Sequence, residues 1–505
     1  MEQFLHGVEL LEIDAGPRPI QTVRSAVVGI VGTAPNSQAE VKADTAIGAV
    51  GTNNALTFTS KLLGVLGNKI SLVLVDPNAN NSALAITVSQ QEITAKLATG
   101  AGGAITTTAA QLKTAIEANA AANALVTVAH TGASTGAGVV PVIRRQYLTG
   151  GLDEAFPLDT PVLIAGSRIE ASRLGATGTL PAALDSILDQ AGAVVVVVRV
   201  ATGANDAETL ANVVGGVNAG TGQYEGMHAL LSAESKVGVV PRILVAPGFT
   251  HSRDGGLANA AVAEFIGIAE RLRAVVIADG PSTTDAAAIN YAEDFGTRRV
   301  FVVDPRVVKL DANGSPIYEW ASPIVAGLIC KSDNERGFWW SPSNLAINGV
   351  LGTERTVDYA LGDPAARANL LNEAKVATII RMDGFRLWGN RTLSADPKWA
   401  FLSVVRTADM IHDSLLRAHL WAVDRNITKT YVEDVVEGVN NYLRHLTNIG
   451  AILGGRCWAD PALNTPDQLQ QGKVTFDFDF TPPAPAEHIT FRSHMVNDYY
   501  KSIFA

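Results

Sequence analysis

Residues Val194 to Val200 read VVVVVRV, a run in which only Arg199 is polar. A strand with one wet face alternates apolar and polar residues. A run without alternation is buried on both faces, as in a parallel sheet covered by helices. Similar runs flank it: PVLIA (Pro161 to Ala165), RILVAPG (Arg242 to Gly248), AVVIADG (Ala274 to Gly280) and RVFVVDP (Arg299 to Pro305), each closed by Gly, Pro or Asp. Between them lie helical texts such as LPAALDSILDQAG (Leu180 to Gly192) and ANAAVAEFIGIAERLR (Ala258 to Arg273), apolar at spacings of three and four. SAVVGIVGTA (Ser25 to Ala34) reads as a further strand of the same sheet.

Other parts of the chain read differently. Ser37 to Leu152 is rich in Ala, Thr, Gly and Asn, with strand-like pieces at Asn68 to Pro77 and Ala83 to Ser89 and one helix expected over Thr107 to Ala122. It reads as a small insertion in the first crossover. After Asp363 the text turns helical: PAARANLLNEAKVATIIR (Pro364 to Arg381), then helices over about Lys398 to Val423 and Thr428 to Thr447. KVTFDFDF (Lys473 to Phe480) alternates strictly, with Val474, Phe476, Phe478 and Phe480 on one face, and predicts a half-buried strand. The Pro-rich TPPAPAEH then leads to strand-like ITFRSHMV (Ile489 to Val496). Such a strand has too little chain around it to build its own sheet, so it either folds back or adds to another chain. HGVELLEI before GPRPIQTV (His6 to Val23) repeats the design at the other end.

The fold class is therefore α/β: a mostly parallel sheet domain covered by helices, an α+β C-terminal domain with projecting terminal strands, and a small α+β or β-rich inserted domain. The expected boundaries are 1–21 for an N-terminal arm, 22–37 with 153–365 for the sheet domain, 38–152 for the insertion, 366–484 for the C-terminal domain and 485–505 for a C-terminal arm.

At 505 residues the chain exceeds one ordinary core, with two to four units expected at roughly 150 residues each. Its apolar content excludes disorder, and a net charge of −10 argues against a generic nucleic-acid binder. Charged residues are 17% of the chain, against about 25% typically, so either the surface is neutral or much of it is covered by partners. No signal peptide or membrane-length apolar run is read, and Cys330 and Cys457 form no motif.

Parallel sheets place their chemistry at strand C-terminal ends. No GxGxxG follows a strand and no GxxxxGK[ST] exists. Asp279, Asp304, His251, Ser252 and Asp254 occupy such ends, but GSR (Gly166 to Arg168) lacks a GxSxG elbow, so turn and capping roles are expected. His412 and His419, with Asp409 and Asp413, lack metal-ligand spacing; Arg406, Arg417 and Arg425 form a modest basic track. No catalytic, cofactor-binding or metal residues are assigned.

Aromatic-rich motifs point to a family. RGFWWSPSNLAINGVLGTE (Arg336 to Glu354), LLNEAKVATIIRMDGFRLWGNRT (Leu370 to Thr392), the N-terminal text from His6 to Ala34 and that from Lys473 to Tyr500 resemble contractile tail sheath proteins of myophages, of the P2-like type. Tailocin and other contractile injection system sheaths are similar. The resemblance implies a subunit without enzymatic activity or cofactor. It implies six-membered rings stacked helically around a tail tube, with contraction driving the tube through the target envelope. The partners implied are other copies, the tube protein, and baseplate and tail terminator proteins, in a virion tail assembled in the host cytoplasm, with no nucleic acid and no membrane insertion. Val8, Leu10 and Ile13, and Ile489, Phe491 and Met495, become inter-subunit arm strands, accepted by the strand of Val474, Phe476, Phe478 and Phe480. Gly337, Trp339, Trp340, Pro342, Asn344 and Trp388 become a domain junction or interface motif. The C-terminal domain faces the tube, with Arg406 and Arg417 as contacts, and the insertion lies outside. A non-contractile shell or tube protein, or an enzyme on a Rossmann-like sheet, are the alternatives.

Overall fold

The computed structural model of the chain describes residues 20–311 and 313–503. They form two compact units: residues 20–34, 158–171 and 178 onward, and residues 35–157 with 172–177.

The larger unit is built on an eight-stranded sheet. In chain order its strands are β1 (Val27–Thr33), β2 (Val162–Ala165), β3 (Val194–Val200), β4 (Ile243–Val245), β5 (Val275–Asp279), β6 (Val300–Val303), β7 (Val376–Arg381) and β8 (Phe385–Trp388). They lie in the order β8-β7-β6-β5-β4-β1-β3-β2. The six inner strands are parallel, and both edge strands run antiparallel. β1 is buried at every position because it lies between β3 and β4 with side chains packed on both faces. The helices α1 (Leu180–Leu188) and α2 (Ala260–Leu272) bury the faces their spacing predicts.

One expectation is corrected. Pro364 to Arg381 is not one helix: only Arg367–Glu373 is helical, and Val376–Arg381 enters the sheet beside β6. Lys375 takes a left-handed conformation (φ 63°) and ends the helix, after which Val376, Thr378, Ile379 and Ile380 supply β-branched residues suited to a buried strand. The sheet thus continues to Trp388, past the boundary expected at 365.

Strand order reverses at β1, between β3 and β4, the place where open α/β sheets hold ligands. Side chains fill it. Thr33 N donates to Thr179 Oγ1 at 3.1 Å and Thr179 N to Thr33 Oγ1 at 3.3 Å, while Trp320 lies against Gly248. The carboxylates at neighbouring strand ends have structural partners. Asp279 accepts from the Ser322 amide (2.8 Å) and hydroxyl (2.6 Å) at the start of α3 (Ser322–Glu335). Asp304 accepts from Ser282 N at 2.6 Å and pairs with Arg355. His251 stacks on Trp320 at 4.1 Å, and Ser252 bonds Asn259.

The same unit carries a helical module. α4 (Leu402–Ala418) and α5 (Lys429–Asn448, capped by Thr428) share a core of Met410, Ile411, Tyr442, Leu443 and Leu446 with Phe338 and Cys457. The smaller unit has one sheet of Asp44–Ile47, Leu56–Ser60 and Val126–His130, and another of Ser71–Val75, Ala85–Ser89, Glu92–Lys96 and Ile143–Tyr147. The single helix expected there is two, Ala109–Ala118 and Ala120–Leu125. Asn119 leaves the helical region, ends the first and caps the second through its side chain.

Burial pushes the Asp279 carboxyl up to about 7, against the bonds from Ser322 and Thr250. The folded state then keeps a proton that the unfolded chain, with its value near 3.8, has lost. Stability from this group is full below about pH 4 and is lost as pH rises through about 7. Asp279→Asn should flatten the fall of the unfolding midpoint over that window in urea titrations. Equal slopes for both proteins would exclude this role for Asp279.

Candidate assembly interface

The alternating Phe strand forms, shorter than expected, as β10 (Asp477–Thr481), paired antiparallel with β9 (Gly454–Trp458) in a two-stranded sheet. Val474 and Phe476 precede it, outside any regular element. Phe476, Phe478 and Phe480 pack on the helical core, and the His412 ring meets Phe478 and Phe480 edge-on at 5.9 and 5.7 Å. Burial holds His412 below the ordinary histidine value, with Arg273 adding to the effect.

The two edges of this pair differ. Cys457 N donates to Asn440 Oδ1 at 2.7 Å, and Asn440 Nδ2 donates to Cys457 O at 3.0 Å, so a side chain of α5 closes the edge of β9. Both polar groups of Cys457 therefore point away from β10. In an antiparallel ladder that makes Cys457 and Phe478 a non-hydrogen-bonded pair, and the N–H and C=O of Phe478 face outward along the other edge. Among the described residues no hydrogen bond reaches the Phe478 backbone from that side. β10 is thus an open edge, a template for a further strand.

The chain beyond it does not use that edge. Arg391 holds Glu487 in the spacer at 2.5 Å. Ile489 to Val496 form no strand and do not fold back; Phe491 is 92% exposed and Met495 101%. Val8, Leu10 and Ile13 lie outside the described residues. Where the description begins, Ile20 and Val23 pack on the helical core, Thr22 Oγ1 bonds the Tyr442 hydroxyl at 3.0 Å, and Val23 N donates to Ser414 Oγ at 3.1 Å.

The GFWW motif has a split role. Gly337 turns the chain at φ 106° with the Trp339 ring against it. Phe338 is buried in the helical core and Trp339 packs on it, while Trp340 is half exposed beneath the Arg336 guanidinium. Pro342 is buried, and Asn344 N bonds Leu387 O on β8 at 2.6 Å. Trp388 packs on the sheet core instead, against Tyr359. These residues thus run between the two cores of the larger unit.

Arg406 is corrected. It is 3% exposed, and its Nη1 and Nη2 bind the Asp333 carboxylate of α3 at 2.7 and 2.5 Å, so no partner surface can reach it. The reason is its place on the inward face of α4. Arg417 keeps its exposure while bonding Asp413 (3.0 Å) and Glu234 (2.7 Å). Arg425 stacks over Trp421. Two further arginines matter that their sequence setting did not single out. Arg299 precedes β6 and bonds Asp409 at 2.5 Å and Glu270 at 3.0 Å; Arg242 precedes β4 and pairs with Asp413. The visible signal was an Arg opening two of the parallel strands, matched by two Asp four residues apart on one helix. Those Asp hold arginine, and the described residues contain no group of three metal-ligating side chains.

The open edge of β10 and the exposed apolar tail that follows it in the chain are features of a structural subunit, with no catalytic constellation among the described residues. The comparisons give the family. Residues 222–393 match the phage tail sheath protein central domain, 394–495 the phage tail sheath C-terminal domain, and 147–200 the N-terminal region of tail sheath protein Gp18 domain III. A putative prophage major tail sheath protein of Pseudomonas aeruginosa is 44% identical over 359 residues, 71% of this chain and 91% of that one. The tail sheath protein of Escherichia phage P2 is 37% identical over 69% of this chain and 88% of its own. The chain belongs to the phage tail sheath family, a family of structural proteins. The tail sheath protein of Burkholderia phage BcepMu is 30% identical over 98% of both chains, so the inserted text has a counterpart in length within the family. The fold is also that of the contracted helical sheath of the anti-feeding prophage (TM-score 0.52, 22% identity, 67% of this chain and 89% of that one) and of the contracted sheath complex of the extracellular injection system PVC (0.52, 18%, 68% and 89%).

Removing one partner of a buried pair strands the other charge, at a cost of roughly 3–5 kcal/mol. Asp409→Ala should lower the unfolding free energy obtained from urea titration by an amount in that range. A loss below about 1 kcal/mol would show that Arg299 is satisfied without Asp409.

Proposed function

We propose that copies of this chain polymerise helically, as stacked six-membered rings around a tail tube, and that the lattice contracts to drive the tube through a target cell envelope. The observation that carries the reading is the open edge of β10 beside an unpaired apolar C-terminal tail. Ile489, Phe491 and Met495, and at the other end Val8, Leu10 and Ile13, add as strands to the β9–β10 pair of neighbouring subunits. Each main-chain hydrogen bond gained contributes roughly 0.5–1.5 kcal/mol net, summed over many contacts. The Gly/Pro spacers bend while the subunits, braced by buried ion pairs, move as rigid bodies.

The domain boundaries expected from the sequence belong to this proposal, amended by the passage of β7 and β8 into the sheet. In it the helical module with the N-terminal arm faces the tube, where Arg417 makes a contact, and the insertion lies on the outer surface. Tube, baseplate and terminator proteins are the further partners, in a virion tail assembled in the host cytoplasm. Among the described residues no helix is long and apolar enough to cross a membrane.

Deleting residues 1–20 should leave a folded, soluble subunit that builds no sheath, whereas the full chain gives wide cylinders in negative-stain electron microscopy. Long cylinders from the truncated chain would overturn the role given to the first arm.

A further inference from the structure

At the N-terminal end of the parallel strands, opposite the filled crevice, a cavity of about 110 Å³ is lined by Glu234, Arg242, Arg271, Asp413 and Arg417. Its charged lining comprises three guanidiniums and two carboxylates. A site of this size holds more than one water, since a single water needs only about 10–15 Å³ of such space.

The hydrogen bonding around it is incomplete. Arg242 is 3% exposed; its terminal nitrogens bond the Leu272 carbonyl and Asp413, but its Nε–H has no acceptor. A buried donor left unmatched is costly, and more so when it is charged. Arg417 spends Nε on Asp413 and Nη2 on Glu234, so both carboxylates in the lining are already engaged. Arg271, exposed at the rim, forms no hydrogen bond or ion pair among the described residues. The missing component is therefore an acceptor, and the surplus positive charge specifies a negative one. Guanidinium forks bind the paired oxygens of carboxylate and phosphate groups best.

We propose that this cavity is an oxyanion-binding site, filled by free phosphate or by a carboxylate side chain from a second copy of the chain. The site does not depend on the sheath reading; only the second source of its ligand does.

The test is a titration of the full-length, unassembled chain with inorganic phosphate, followed by calorimetry and thermal unfolding, with sodium chloride holding ionic strength constant. A saturable rise in the unfolding temperature is expected, weakened at least tenfold in apparent affinity by Arg271→Ala. That side chain is exposed and unpaired, so its removal spares the fold, and Arg144→Ala serves as the control for general charge loss. No saturable effect, or the same effect in Arg271→Ala as in the unaltered protein, would overturn the proposal. Assembly assays at fixed ionic strength then separate the sources. Phosphate that slows cylinder formation by the unaltered chain, but not by Arg271→Ala, identifies a neighbour's carboxylate as the ligand. Saturable binding without competition identifies the free anion.

Discussion

The pairing of buried arginines with the carboxylates of α4 and α3 fixes how the helical module stands on the sheet. Arg299 with Asp409, Arg242 with Asp413 and Arg406 with Asp333 are ion pairs largely or wholly withdrawn from water. Such pairs add little net stability compared with apolar packing, because desolvation offsets the attraction. What they add is discrimination. A helix seated by leucines alone can rotate or slide by a residue at small cost; sliding α4 would strand three charges in the interior. The open strand edge and the arm root at Thr22 and Val23 are both held by this helix pair, so their orientation depends on those contacts.

Much of the fold was legible because burial on both faces leaves an unmistakable text. VVVVVRV and its companions became strands where expected, and their parallel order follows from the helices between them. The segment after Pro364 reads as one helix because LLNEAK carries helical spacing up to the point where Lys375 turns left-handed, a backbone event without a residue signature of its own. Helix ends set by Asn119 were missed for a related reason: one residue closes one helix and opens the next, and the apolar spacing runs through both.

The interface was less legible. The alternation in KVTFDFDF located the strand and its inward face, but not which edge would be left open. That depends on Asn440, seventeen residues before Cys457 on another element, whose amide mimics a backbone partner. The basic track was misjudged at Arg406 because a lone arginine on a helix reads as solvated. Its burial becomes visible only when Asp333 is placed opposite it.

The amide of Asn440 also has a geometric consequence. An open strand edge could meet the same edge of a second copy, and such two-fold pairing would end growth as a closed dimer. With β9 sealed and β10 open, the ribbon has a single docking valence. In the proposed sheath that side is taken by an arm from elsewhere in a neighbouring molecule, so donor and acceptor are different surfaces. Contacts of that kind are head-to-tail, and they give a growing polymer a direction.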